Sequence, residues 1–164
     1  MKALLMGLVL SLFFASFVLL TSNAQDEKQS DKKEEKEKEE VIVSYEVIQQ
    51  GTYSGKKDPI AQIITAKQDW EQLWKQHVSV LVPQPPVPEI DFETEVVVAI
   101  FAGEKKSGGY AVVIKKVSEE LNDVVVRYKL TEPQPNSFTI QVITQPYVML
   151  KMSKPQGTVR LLKE

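Results

Sequence analysis

Cysteine is missing from this 164-residue chain. Its absence excludes disulfides, thiolate chemistry, zinc ribbons, iron–sulfur ligation and a lipid-modified N-terminal cysteine. Histidine occurs once, at His77, so a multi-histidine metal centre is excluded as well. Arginine is confined to Arg127 and Arg160, and 20 basic against 22 acidic residues leave a net charge of −2. That balance argues against nucleic acid as a partner. The chain has no Gly-x-Ser-x-Gly elbow, and Ser107-Gly108-Gly109 lacks the spacing and the following helix of a phosphate loop. The expectation is a non-catalytic protein with no cofactor and no metal.

What is present falls into three zones. Met1–Ala24 begins with Lys2, continues with the almost wholly apolar stretch Ala3–Leu20, and ends in the small residues Ser22-Asn23-Ala24. This is the pattern of a signal peptide cleaved after Ala24. The rival is an uncleaved anchor, which Ala3–Leu20 is just long enough to form; membrane contact is expected only in that case. With Lys2 held in the cytoplasm, everything after it is exported either way, to a periplasm, cell surface or medium. Gln25–Glu40, QDEKQSDKKEEKEKEE, has no apolar residue to offset the entropy of ordering and reads as a disordered charged tether. Removing Lys2 and the tether leaves Val41–Glu164 with 14 charges of each sign, long enough to enclose one core.

Within that domain, Val41–Gln49 reads as a first strand and Gly51–Gly55 as a turn. Ile60–Thr65 reads as a second strand, followed by a capping-box spacing at Thr65–Gln68. Trp70, Leu73, Trp74, His77 and Val78 then share one face of an amphipathic helix over about 66–79. Pro83, Pro85, Pro86 and Pro88 end it in an extended connector. Val96–Ala102 is a continuous apolar run, the pattern of a central strand covered on both faces. Lys105–Gly109 turns the chain into Tyr110–Val117, and Asn122-Asp123 turns it again into Val124–Leu130. Phe138–Ile143 and Tyr147–Met152 are further strands, with Thr144-Gln145-Pro146 as a bulge or kink between them. Thr158–Leu162 is the last. The expected fold is α+β or mostly β, a compact antiparallel domain of seven or eight strands with one helix.

Chemistry is sparse. His77 is the one base for neutral pH, and a hydrolase would need a serine and a carboxylate to converge on it; its place on the apolar helix face favours a core histidine. Glu119-Glu120 reads as solvated, and Asp91 as a turn residue accepting backbone N–H groups. Trp70 and Trp74 are the aromatic candidates for a wall- or glycan-binding module, though their spacing makes them core first. Two loops go beyond what a plain sandwich requires. Gly103–Tyr110, GEKKSGGY, is either a hairpin turn with positive φ or a recognition loop carrying an aromatic. Thr144–Tyr147, TQPY, is either an edge bulge or a contact segment.

The order of these pieces resembles the C-terminal domain of the PrcB family, named for a protease-complex subunit of bacterial cell surfaces. The matching elements are Gly51–Gly55, Trp70–Trp74, Ile90–Phe92, Val96–Glu104, Ser107–Tyr110 and Thr144–Lys151. Lys106 stands where the family loop usually has proline, and Val148 where histidine often follows Pro-Tyr. The resemblance implies an exported, non-catalytic protein that associates with or stabilises a secreted protease or another envelope protein. The same two loops also resemble those of chagasin-type cysteine-protease inhibitors, which keeps inhibition open as an alternative. The expected contact surface is Ser107, Gly108, Gly109, Tyr110, Gln145, Pro146 and Tyr147.

Overall fold

A computed structural model describes residues 41–164. The signal segment 1–24, its cleavage after Ala24 and the tether 25–40 lie outside the described residues. In chain order the elements are β1 (Val41–Ile42), β2 (Glu46–Gly51), β3 (Ile60–Ile64), α1 (Lys67–His77), β4 (Glu95–Phe101), β5 (Ala111–Glu120), β6 (Asp123–Thr131), β7 (Tyr147–Ser153) and β8 (Val159–Lys163). A single 3-10 turn, Val78–Val80, extends the helix. The fold is mostly β, with two four-stranded sheets of order β1-β5-β6-β8 and β2-β7-β4-β3.

Strand β4 shows why the domain has three layers. Its side chains alternate between two faces, and both faces are apolar. Val97, Ala99 and Phe101 point to a core shared with Trp70, Leu73, Trp74 and Val78 of the helical segment. Val96, Val98 and Ile100 point to a second core shared with Val112, Val117, Val124 and Val126 of the facing sheet. Its neighbour β7 is divided in the same way, with Tyr147 and Met149 towards the helix and Val148, Leu150 and Met152 towards the sheet. The order of layers is therefore sheet, sheet, helix.

Several sequence expectations are corrected. The first strand is two short ones in different sheets, because Val43–Tyr45 carries the chain from one sheet to the other. No capping box forms: the helix N-cap is Ala66, one residue past Thr65, and no side chain caps it. Lys105–Gly109 is not a hairpin turn, since β4 pairs with β3 and β7 while β5 pairs with β1 and β6; the segment crosses between sheets. The sheet containing β8 is mixed, β8 running parallel to β6. Phe138–Ile143 is not a strand at all. Glu120 is not simply solvated; it pairs with Arg127 and Arg160.

The β5–β6 connection is a two-residue hairpin, Glu120 pairing with Asp123 across Leu121 and Asn122. Both connecting residues have positive φ, 56° and 76°, the pattern of a type I′ turn. Asn122 suits that backbone, whereas Leu121 is a branched side chain held left-handed and 82% exposed. Leu121→Asn is expected to raise stability by about 0.5–1 kcal/mol, read as a higher urea midpoint at unchanged slope.

Candidate functional site

Where β4 and β7 end, their two chains do not separate. Ala102 N–H donates to the Pro146 carbonyl at 2.8 Å, and Lys105 and Thr144 exchange backbone hydrogen bonds at 2.7 and 3.0 Å. Farther out, Gly108 N–H donates to the Ile140 carbonyl at 2.9 Å, and the Thr144 hydroxyl donates to the Ser107 carbonyl at 2.9 Å. Residues 102–108 and 140–146 thus form an irregular two-stranded ribbon leaving the end of the sheet. The two loops singled out in the sequence are brought together, side by side.

The seven expected contact residues divide between ribbon and core. Ser107, Gly108 and Tyr110 are half-buried and Gly109 is exposed. Gly109 has φ +88°, and a Cβ there would meet Pro133 at 2.9 Å, so the backbone as well as the space requires glycine. The Lys105 ammonium stands 5.7 Å from the centre of the Tyr110 ring, within cation–π range. Gln145, half-buried, is turned inward: its N–H donates to the Thr52 carbonyl at 2.8 Å, and its side-chain oxygen lies 3.5 Å from Ser54 N. Pro146 and Tyr147 are buried. The Tyr147 ring packs at 4.4 Å from His77 and 5.7 Å from Phe101, so neither Pro146 nor Tyr147 is available to a partner.

Residues passed over in the sequence take their place. Phe138 is fully exposed, Ile140 is 77% exposed and Ile143 is 55% exposed, the last two on the ribbon and Phe138 two residues before it. Phe138, Ile140 and Val142 alternate with Thr139 and Gln141 in a strand pattern, yet no strand forms there. The signal available was the bracketing of this stretch by Pro133, Pro135 and Pro146, which disfavours continued pairing on both sides.

His77 forms a separate arrangement in the helix-side core. It is fully buried, with Nδ1 2.9 Å from Ser54 Oγ and Nε2 3.0 Å from Gln49 Oε1. Gln49 Oε1 can only accept, so Nε2 carries the proton; Nδ1 then accepts from the Ser54 hydroxyl. Ser54 Oγ in turn accepts the Lys56 N–H at 3.1 Å. Every group is satisfied with a neutral imidazole. Gly55 closes over this junction, its N–H donating to the His77 carbonyl at 2.8 Å; a Cβ at Gly55 would meet Gln76 O at 2.2 Å. A serine and a histidine are in hydrogen-bond reach, but both are sealed from solvent and no carboxylate hydrogen-bonds to the imidazole. The arrangement holds β2, the β2–β3 loop and α1 together.

The two tryptophan candidates also turn inward, whereas Asp91 is exposed. Trp70 and Trp74 donate their indole N–H groups to the carbonyls of Pro88 and Pro85 at 2.9 and 3.2 Å, which pins the proline connector to the helix. The Asp91 carboxylate accepts from Glu93 N–H and the Thr94 hydroxyl, hydrogen bonds that hold its pKa below the usual carboxylate range.

The family model described as PrcB C-terminal matches residues 96–153. Over that span the chain is PrcB-like. No curated protein and no solved structure matches the chain. The PrcB-like span runs from the second residue of β4 to the last of β7, so it contains both doubly buried strands and the whole ribbon. The helix and His77 precede it.

Burial lowers the His77 pKa from 6.5 to about 4. Between those values the unfolded chain binds the extra proton and the folded chain does not, so stability is full above pH 6.5 and falls as pH drops towards 4. The loss from this residue is expected to be about 1 kcal/mol between about pH 7.5 and 5.5, and about 3 kcal/mol at most by pH 4. Urea unfolding at a series of pH values checks this, and His77→Gln should remove the slope in the upper half of that window. Independently, Tyr147→Ala should cost about 3 kcal/mol, while Phe138→Ser should change stability by no more than ~0.5 kcal/mol, both read from denaturant midpoints.

Proposed function

We propose that the chain is an exported, non-catalytic protein-binding module that associates with or stabilises an exported protease. The observation carrying this reading is the ribbon: three large apolar side chains, Ile140 and Ile143 on it and Phe138 just before it, stand in solvent inside the PrcB-like span. Single exposed apolar residues are ordinary, but several together on one projection mark an interaction surface. Ser107, Gly108, Gly109 and Tyr110 on the companion segment complete it, and Lys105 and Lys106 add positive charge at its side. Export rests on the apolar segment Ala3–Leu20 and the small residues before Gln25. The burial of His77, Ser54, Trp70 and Trp74 supports neither a hydrolase nor a glycan-binding face.

A second reading, protease inhibition, is favoured by the same juxtaposition, because a projecting two-segment ribbon also fits an active-site cleft. The test is capture from the native envelope fraction with the tagged chain and with Phe138→Asp/Ile140→Asp, mass spectrometry identifying what is bound. A protease recovered by the parent chain and reduced at least tenfold by the double variant is the expected result. Equal recovery by both, or recovery of no protease at low salt, contradicts the reading. The captured protease's activity with and without the chain then separates stabiliser from inhibitor.

A further inference from the structure

A site away from the ribbon tip lies where the edge strands β3 and β8 face each other across the gap between the sheets. There the sandwich is incompletely filled, leaving an open cleft of about 370 Å³. Ile60, Ile100, Val112 and Leu130 give it apolar walls, and Lys105 and Lys163 also line it. Lys163 is placed there by register. β8 pairs with β6 so that Val159, Leu161 and Lys163 lie beside Val124, Val126 and Tyr128. The first two of each set belong to the inter-sheet core, as does Tyr128. Alternation therefore puts a lysine at the third inward position, where the pattern calls for an apolar residue. An inward lysine on an edge strand also deters edge-to-edge pairing, but that role requires neither an apolar cleft beside it nor a second lysine at the same opening.

No acidic side chain lines the cleft, and among the described residues neither Lys105 nor Lys163 forms an ion pair, although Lys67, Lys151, Arg127 and Arg160 all do. Apolar walls with two cations that have no anionic partner, Lys105 being also against the Tyr110 ring, suit a ligand with an apolar body and one anionic end. We propose that the β3–β8 cleft binds a monocarboxylate with an alkyl chain, a free fatty acid, its tail against Ile100, Val112 and Leu130 and its carboxylate between Lys105 and Lys163. The cleft shares Lys105 with the base of the ribbon, so Lys163→Glu alone, which leaves the ribbon intact, separates this site from the reading of the ribbon as a protein contact.

The test is titration of the full chain with sodium octanoate, followed by amide chemical shifts and by calorimetry. Octyl glucoside and octyltrimethylammonium serve as neutral and cationic probes of equal chain length, and acetyl-Leu-Val with a free carboxylate as the peptide source of the same chemistry. The expected result is saturable octanoate binding that shifts the amides of Ala61, Ala102, Val112 and Lys163. The neutral and cationic probes should bind at least tenfold more weakly. Lys105→Glu/Lys163→Glu should weaken octanoate by at least tenfold, while Lys129→Glu on the outer face of β6 leaves it unchanged. No saturable binding at millimolar octanoate, equal binding of all three octyl probes, indifference to the double variant, or binding of the peptide alone would each overturn the proposal.

Discussion

Burial of β4 and β7 on both faces is the constraint from which the rest of the domain follows. Two adjacent strands without a polar face must be covered twice, once by a helix and once by a second sheet. The helix supplies Trp70, Leu73 and Trp74 to one side, and the strands β5 and β6 supply valines to the other. Because β4 and β7 pair along their whole length, from Glu95–Ser153 to Phe101–Tyr147, the chains leaving them start out together. Hydrogen bonds from Ala102 to Pro146 and between Lys105 and Thr144 keep them so. The ribbon is thus a continuation of the most deeply buried pair in the molecule, a rigid base for an exposed tip.

The parts of the fold legible in the sequence are those that a single element dictates. Val96–Ala102 could be read as doubly covered because seven apolar residues in a row leave no face for water. The helix could be read from the spacing of Trp70, Leu73, Trp74 and His77. What could not be read depends on partners distant in sequence. Phe138, Ile140 and Val142 alternate like a strand, but alternation records a preference for an extended chain and says nothing about whether a neighbour exists. The same limit made Lys105–Gly109 look like a hairpin turn, although β4 and β5 belong to different sheets. Tyr147 and Pro146 looked like a contact motif because aromatics and prolines serve recognition and core alike; the Tyr147 ring beside His77 and Phe101 shows which role applies here.

The helix-side core adds a polar element to this scheme. His77, Ser54 and Gln49 satisfy one another without water, and Gln145 reaches the same loop from the base of the ribbon. Sequence reasoning could weigh a lone histidine on an apolar face, but it had no means of pairing it with Ser54, 23 positions away. A serine hydroxyl directed at a histidine nitrogen resembles the start of a nucleophilic dyad. Both side chains are buried here, whereas a nucleophile must meet its substrate. The junction lies outside the PrcB-like span, whereas the ribbon lies within it.

Native-state hydrogen exchange tests this account most directly, since it measures the doubly covered strands and the ribbon in one experiment. Amides of β4 and β7 should exchange only through global unfolding. Those of Phe138–Gln141, whose N–H groups donate to no backbone carbonyl among the described residues, should exchange faster by several orders of magnitude, while Gly108 and Thr144 fall between. Protection of Phe138–Gln141 equal to that of Val98 and Leu150 would mean that the apolar ribbon is itself packed in the folded chain. The picture of a buried strand pair presenting an exposed tip would then be wrong.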